Sequence, residues 1–186
     1  MTMWRPWLIV VAVALIVSSV ATFGLNAYLQ QIFFYIAINI MLATSLNLVN
    51  GFCGQFSIGH AGFMAVGAYT SALISLNFSI FPEPIDQMNF VIYALAGGSA
   101  AAVAGFLVGM PSLRLRGDYL AIVTLGFGEI IRAILLNLEI VGGARGLYGI
   151  PGRTDFMACL HAFCWAGATV LLIWRLVQSS YGRAFL

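Results

Sequence analysis

Lysine is absent from this sequence of 186 residues, and charged residues of any kind are scarce. All eight basic residues are arginine, six residues are acidic, and together they make up 8% of the chain. In an average soluble domain, about a quarter of the residues are charged. Without lysine, the chain has neither the P-loop of a Walker-type ATPase nor a residue for Schiff-base chemistry. The net charge of +2 is too small and too scattered to predict a nucleic-acid partner.

Cysteine is also rare, and the usual signatures of catalysis are missing. The three cysteines, Cys53, Cys159 and Cys164, have neither the pattern of a disulfide framework nor zinc-binding spacing. The sequence contains no HExxH or GxSxG motif. Ser57 and His60 are close in sequence, but no acid lies nearby to orient the histidine. We therefore predict no metal, no cofactor and no enzymatic activity in this chain, and a serine nucleophile remains a minor alternative.

Apolar residues dominate the composition, with 62% of the chain hydrophobic and a mean hydropathy of +1.00. A helix needs roughly 20 apolar residues to cross a bilayer core of about 30 Å. Six stretches approach this length: residues 7–23, 32–49, 58–76, 90–110, 119–138 and 156–177. Backbone groups in lipid must be paired internally, and alternating strand patterns are absent. We expect an all-α polytopic integral membrane protein of about six transmembrane helices, forming a single transmembrane domain over residues 1–186.

The distribution of arginine predicts the orientation, because cytoplasmic loops carry an excess of positive charge. A cytoplasmic N-terminus places Arg5, Arg114, Arg116, Arg175 and Arg183 inside. The same orientation places Arg145 and Arg153 outside. Residues 19–21 also resemble a signal-peptide processing site, so the first stretch is alternatively a cleaved signal peptide. The orientation of the remaining helices is the same in both cases.

Small residues recur every four positions in the fourth apolar stretch. They are Gly97, Ala101, Gly105 and Gly109. Helices in lipid gain little from hydrophobicity when they associate, so small residues that allow close approach favour packing. We predict that this face contacts another helix of the bundle.

The second apolar stretch carries asparagines close to one helical face. The residues on this face are Asn39, Ala43, Asn47 and Asn50. An amide that is buried in lipid without a partner costs a few kcal/mol, so the face must meet a neighbour or water. Inter-helix hydrogen bonds and a solute pathway are both open interpretations.

Glu129 and Arg132 lie three residues apart in the fifth stretch, on adjacent surface of one helix. Ionisable residues within membrane spans are functional candidates by default. They are predicted either to form a structural ion pair or to act in the gate or pathway of a transporter.

Glycine is concentrated between the second and third stretches, at Gly51, Gly54, Gly59 and Gly62. Such a segment allows backbones to approach closely or interrupts a helix, and interrupted helices form substrate sites in many transporters. The predicted pathway or broken-helix residues are Asn47, Gly54, Gln55, Ser57, Gly59 and His60.

Four motifs raise a family resemblance when they are taken together. They are Gly-Gln-Phe-Ser-Ile-Gly-His-Ala at 54–61, Gly-Ala-Tyr at 67–69, Arg-Gly-Asp-Tyr-Leu-Ala at 116–121 and Gly-Ile-Pro at 149–151. From about Leu46 onward, the chain resembles the permease subunits of LIV-type ABC importers for branched-chain amino acids. It resembles the M-type subunit more than the H-type subunit.

The resemblance implies a channel-forming subunit without ATPase activity in the bacterial plasma (inner) membrane. Its implied partners are a second permease subunit, two cytoplasmic ABC ATPases and a periplasmic or extracellular solute-binding protein. Family members continue past residues 182–184 into a cytoplasmic element that docks the ATPase. The sequence is therefore expected to be truncated just before that coupling loop.

Three alternatives remain open. Permeases of urea or short-amide ABC importers share relatives of these motifs. An ion-coupled secondary transporter would use Glu129 as its proton site. An inactive truncated fragment would have no activity of its own.

Overall fold

The computed structural model describes residues 5–24, 26–77, 86–112, 115, 118–150, 156–180 and 182. These ranges contain six long α-helices and no β-strand. The helices are α1 (Arg5–Gly24), α2 (Ala27–Asn47), α3 (His60–Asn77), α4 (Asp86–Ser112), α5 (Asp118–Asn137) and α6 (Phe156–Gln178). The predicted all-α class is confirmed, and a long helix lies at each of the six apolar stretches.

Four of the six helices are long and apolar enough to cross a membrane. They are α2 with its extension to Phe52, α4, α5 and α6. The apolar part of α1, Pro6–Thr22, is shorter. α3 has 18 residues and includes histidine, serine, threonine and asparagine, which lower its hydropathy. A multi-pass membrane protein is thus confirmed, while the number of six crossings stays a prediction.

The second helix extends beyond residue 49, where the apolar stretch ends in the sequence. α2 passes into a π-helical turn, Leu48–Phe52, before the helix ends. An ideal Cβ on Gly51 would lie 2.5 Å from Asn47 Oδ1. Glycine therefore leaves room for the Asn47 side chain inside the wider turn, so here it accompanies a helix instead of ending one.

Some of the residues behind the orientation lie outside the described residues: Arg114, Arg116, Arg153 and Arg183. Part of the motif at 116–121 and the proline at 151 also lie there. The alternative processing site at 19–21 falls within α1. The cytoplasmic N-terminus therefore stays a prediction.

The chain divides into two compact units, one with residues 1–54 and 152–186 and the other with residues 55–151. The first contains α1, α2 and α6, and the second contains α3, α4 and α5. Nothing in the fold tests the assignment of residues 1–186 to one transmembrane domain, which stays a prediction.

In the first unit, α6 packs against both α1 and α2. Ser18 of α1 is fully buried, and its Oγ donates a hydrogen bond of 2.9 Å to the carbonyl oxygen of Phe156. Gly167 lies so close to Val10 that a Cβ at this position would overlap the valine side chain. Phe33 and Phe163 meet edge to face, with ring centroids 6.3 Å apart. Small residues and one buried hydroxyl thus hold α1 against α6.

In the second unit, α3 packs against both α4 and α5. A Cβ on Gly97 of α4 would lie 2.5 Å from the carbonyl oxygen of Gly67. A Cβ on Gly67 would lie 3.4 Å from the Cβ of Ala101. By contrast, Cβ atoms on Gly105 and Gly109 would meet nothing within 4 Å. The first half of the predicted packing face therefore lies against α3, whereas the two glycines of the second half have open space beside them.

Many polar side chains within the helices bond to a carbonyl of their own helix, one turn earlier. Thr44 Oγ1 donates to Ile40 O at 2.5 Å, and Asn39 Nδ2 donates to Tyr35 O at 2.8 Å. Asn39 thus makes one hydrogen bond within α2, and both interpretations of the asparagine face stay open. Such a bond gives one side-chain donor a partner without a neighbouring helix.

Candidate functional site

The backbone leaves helical conformation after the π-turn and resumes it at His60. Gly54 has a φ of +63° in this segment, a left-handed conformation that L residues with a side chain rarely adopt. A helix break therefore does occur within the glycine-rich segment. Irregular backbone of this kind is tolerated at membrane depth only when it is covered by protein or lines a water-filled cavity.

The end of this segment is attached to α5 by a buried threonine. The Ile58 amide donates a hydrogen bond of 3.2 Å to Thr124 Oγ1. The same hydroxyl donates to the Ala121 carbonyl oxygen at 3.0 Å. The segment therefore gains a partner for one backbone amide that has no helical partner.

Glycines on both helices make this contact unusually close. Gly59 is buried, and a Cβ there would overlap the backbone carbonyl of Thr124. One turn along, a Cβ on Gly62 would lie 3.1 Å from the Cα of Gly128. The start of α3 thus rests on α5 backbone to backbone, as small residues allow in membrane helices.

A groove of about 260 Å³ follows this contact within the second unit. Its lining comes from the start of α3 and from one stripe of α5: Ile58, Gly59, Ala61, Gly62, Ala65, Tyr69, Leu125, Gly128, Glu129, Arg132, Leu135 and Leu136. Nearly all of these residues are apolar, and the two charged residues come from α5. The groove therefore combines an apolar surface with one cation and one anion.

Glu129 and Arg132 form an ion pair across one turn of α5. Arg132 Nη1 lies 3.5 Å from Glu129 Oε2, and the arginine and glutamate side chains are 70% and 62% exposed. An exposed pair contributes about 0–1 kcal/mol, whereas each charge near a bilayer centre costs roughly 2.5–3.5 kcal/mol. The pair alone does not offset that cost, so this face of α5 is expected to meet water or another polar surface.

The remaining predicted pathway residues do not line the groove. Asn47 and Gly54 belong to the first unit and are exposed. In the second unit, Gln55, Ser57 and His60 are half-buried near the start of α3. Of the pathway residues predicted from sequence, the structure brings only Gly59 together with Glu129 and Arg132. The roles of all these residues stay predictions.

Sequence reasoning missed several residues that build the groove. Thr124 and Gly128 fix the contact with α3, and Leu135 and Leu136 supply apolar surface. The four-residue spacing of Thr124 and Gly128 could have predicted this helix contact, because small residues four apart favour close helix approach. Among the described residues, no cluster of three or more histidine, cysteine, aspartate or glutamate side chains could hold a metal ion.

The apolar helices define a polytopic, all-α membrane protein. Residues 28–186 match the family described as branched-chain amino acid transport system / permease component. The chain belongs to this family, and the resemblance drawn from its motifs is confirmed. As a family of permease components, it indicates a transport subunit rather than an enzyme, and membership of a transport system implies partner subunits.

The chain is similar to curated permeases from bacteria and an archaeon. It is 49% identical over 120 residues to the high-affinity branched-chain amino acid transport system permease protein LivM of Escherichia coli (strain K12), and 48% identical over 120 residues to LivM of Salmonella typhimurium. Each alignment covers 64% of this chain and 26% of the relative. The probable branched-chain amino acid transport permease protein LivM of Methanocaldococcus jannaschii is 27% identical, over 83% of this chain and 54% of the relative.

The chain thus spans about a quarter of the length of the two bacterial relatives. No solved structure matches it.

Proposed function

We propose that this chain forms part of the membrane permease of an ATP-driven importer for branched-chain amino acids (leucine, isoleucine and valine) and contributes to its solute pathway. The observation that carries this proposal is the family match over residues 28–186. The relatives that are named as branched-chain amino acid permeases support the same solute class. The helix break and the adjoining charged groove supply a non-lipid surface of the kind that a pathway needs.

The proposed assembly contains a second permease subunit, two cytoplasmic ABC ATPases and an external solute-binding protein, in the bacterial plasma membrane. The 186 residues contain no lysine and so no P-loop of a Walker-type ATPase, which is consistent with ATP hydrolysis by the proposed partner subunits. Gln55, Ser57 and His60 are proposed to contribute polar groups beside the helix break. Glu129 and Arg132 are proposed to act together in the gate or pathway.

Uptake of radiolabelled leucine tests the proposal. The gene is co-expressed with genes for the proposed partner subunits in a bacterial strain that lacks its own branched-chain amino acid uptake. We expect uptake that excess isoleucine and valine suppress and excess urea does not. Replacing the P-loop lysine of the partner ATPase should abolish the uptake and leave the level of this chain in the membrane unchanged.

An uncoupler separates the ATP-driven mechanism from an ion-coupled one. With cellular ATP held constant, uptake should survive the loss of the proton gradient. Loss of uptake under these conditions would instead favour ion coupling through Glu129. Competition by urea but not by isoleucine would point to an amide permease, and a complete lack of uptake in the assembled transporter would contradict the proposal.

A further inference from the structure

The groove between α3 and α5 has two chemically distinct parts. The larger part is apolar and includes Ala65, Leu125, Leu135 and Leu136. The smaller part is the ion pair of Glu129 and Arg132. The volume of about 260 Å³ lies just below the range of roughly 300–1,000 Å³ that small-molecule sites occupy. This size suits one small molecule.

The two charges are free to separate around a ligand. They are held to each other by one contact of 3.5 Å, and both side chains are mostly exposed. Residues three apart on a helix have Cβ atoms about 5–6 Å apart. Rotation of either long side chain therefore opens a gap between carboxylate and guanidinium without any movement of the helix.

The occupant that matches both parts of the groove is an α-amino acid with a branched apolar side chain. Its ammonium group is complementary to the carboxylate of Glu129. Its carboxylate is complementary to the guanidinium of Arg132, which donates two parallel hydrogen bonds to such a group. Its side chain matches the leucine and alanine surface. A neutral solute such as urea would leave both charges without an opposite charge in the ligand.

We propose that the α3–α5 groove is a binding site for free branched-chain amino acids, in which Glu129 binds the ammonium group, Arg132 binds the carboxylate and the residues around Leu135 receive the side chain. This inference rests on the proposed function and deepens it, because it assigns the point at which the pathway recognises a zwitterion. When the site is empty, the two charges neutralise each other. When it is filled, the ligand takes over both contacts.

Photo-leucine, an analogue with a diazirine in the side chain, tests the site in the assembled transporter purified without its solute-binding protein. Illumination should attach the probe to peptides from α5 and the start of α3, because the reactive carbon lies in the apolar part of the groove. Excess leucine should suppress the labelling. Leucinamide, which lacks the carboxylate, and 4-methylpentanoate, which lacks the ammonium group, should each be at least tenfold weaker competitors, since each loses one charge-assisted contact.

Variants then assign the two charges. Glu129→Gln and Arg132→Gln should each reduce labelling about tenfold or more. In Glu129→Gln, leucine should no longer compete better than 4-methylpentanoate. In Arg132→Gln, leucine should no longer compete better than leucinamide. A merely structural ion pair would not produce this exchange of preference. Ile134→Ala, on the same helix and exposed but outside the groove, should behave like the wild type.

Each outcome decides the proposal. Labelling confined to other segments, or Gln variants with unchanged labelling and preference, would overturn the site, even where the same transporter takes up leucine in cells. If the transporter takes up no leucine, the proposed function fails and the site fails with it. If the variants do not assemble, the labelling map of the wild type alone settles the location.

Discussion

Gly54 and Gly59 lie five residues apart in the same segment, yet the structure requires glycine at each for a different reason. At Gly54 the requirement is conformational, since φ is +63° and a Cβ would meet nothing within 4 Å. At Gly59 the requirement is steric, because a Cβ would overlap the backbone carbonyl of Thr124. A backbone atom cannot rotate away as a side chain can, so Gly59 is the more restrictive position.

Alanine should therefore destabilise the protein at both positions, but for different physical reasons. Gly54→Ala should cost about 1–2 kcal/mol, the price of a left-handed alanine, and Gly54→Asn less, because asparagine tolerates this conformation. Gly59→Ala should destabilise by about 1–3 kcal/mol through overpacking and should separate α3 from α5. Thermal unfolding of the purified variants measures the loss of stability, and leucine uptake by the assembled transporter measures the loss of activity. A Gly59→Ala protein as stable and active as the wild type would show that the close contact is not required.

At the scale of elements, one repeated pattern in α4 has two different environments. Gly97 and Ala101 face Gly67 of α3, whereas positions 105 and 109 have open space beside them. The pattern was visible in the sequence, and so was its preference for close packing. Which half of it would contact another helix depends on where α3 begins and ends, and a four-residue periodicity contains no information about that.

Paired alanine substitutions test this division of α4. Gly97→Ala places a Cβ about 2.5 Å from the Gly67 carbonyl oxygen, so the helices must move apart and the melting temperature should fall. Gly105→Ala is the matched control, because its Cβ has open space and alanine favours a helix by up to about 1 kcal/mol over glycine. Equal melting temperatures for the two proteins would contradict the assignment of Gly97 to the α3–α4 contact.

The α1–α6 contact allows a test by double substitution. A Cβ on Gly167 would overlap the side chain of Val10, so Gly167→Ala should destabilise by about 1–3 kcal/mol. Val10→Ala removes the two methyl groups that cause the overlap. The double variant should therefore be more stable than the sum of the two single effects predicts, by at least about 0.5 kcal/mol. Chemical unfolding of the four proteins measures this coupling, and strict additivity would show that Gly167 and Val10 do not meet.

For the whole molecule, the sequence was most informative about the number and class of the long helices. Runs of apolar residues set the approximate limits of α2 and α5, and two charges in an apolar run made Glu129 and Arg132 conspicuous. The groove was not predictable, because Tyr69 and Leu135 come from different helices, and only packing brings them together. The π-turn beyond residue 49 was not predictable either, because it depends on how Gly51 accommodates the Asn47 side chain.

The topology of the whole chain depends on whether α3 crosses the membrane. Phe56 precedes α3 and Ala144 follows α5, and both are exposed. If α3, α4 and α5 all cross, the two positions lie on opposite sides, with Phe56 inside and Ala144 outside according to the arginine distribution. If α3 does not cross, two crossings remain and both positions lie on the same side.

Single cysteines measure this difference in intact cells. Phe56→Cys and Ala144→Cys are introduced separately into a chain whose Cys53, Cys159 and Cys164 are replaced by serine. A membrane-impermeant maleimide should label the cysteine at position 144 from outside, and the cysteine at position 56 only after permeabilisation. If both cysteines are protected, positions 56 and 144 lie on the same, inner side. An even number of crossings then separates them, so α3 does not cross the bilayer. Labelling of position 56 but not position 144 would place the N-terminus outside, against the positive-inside expectation.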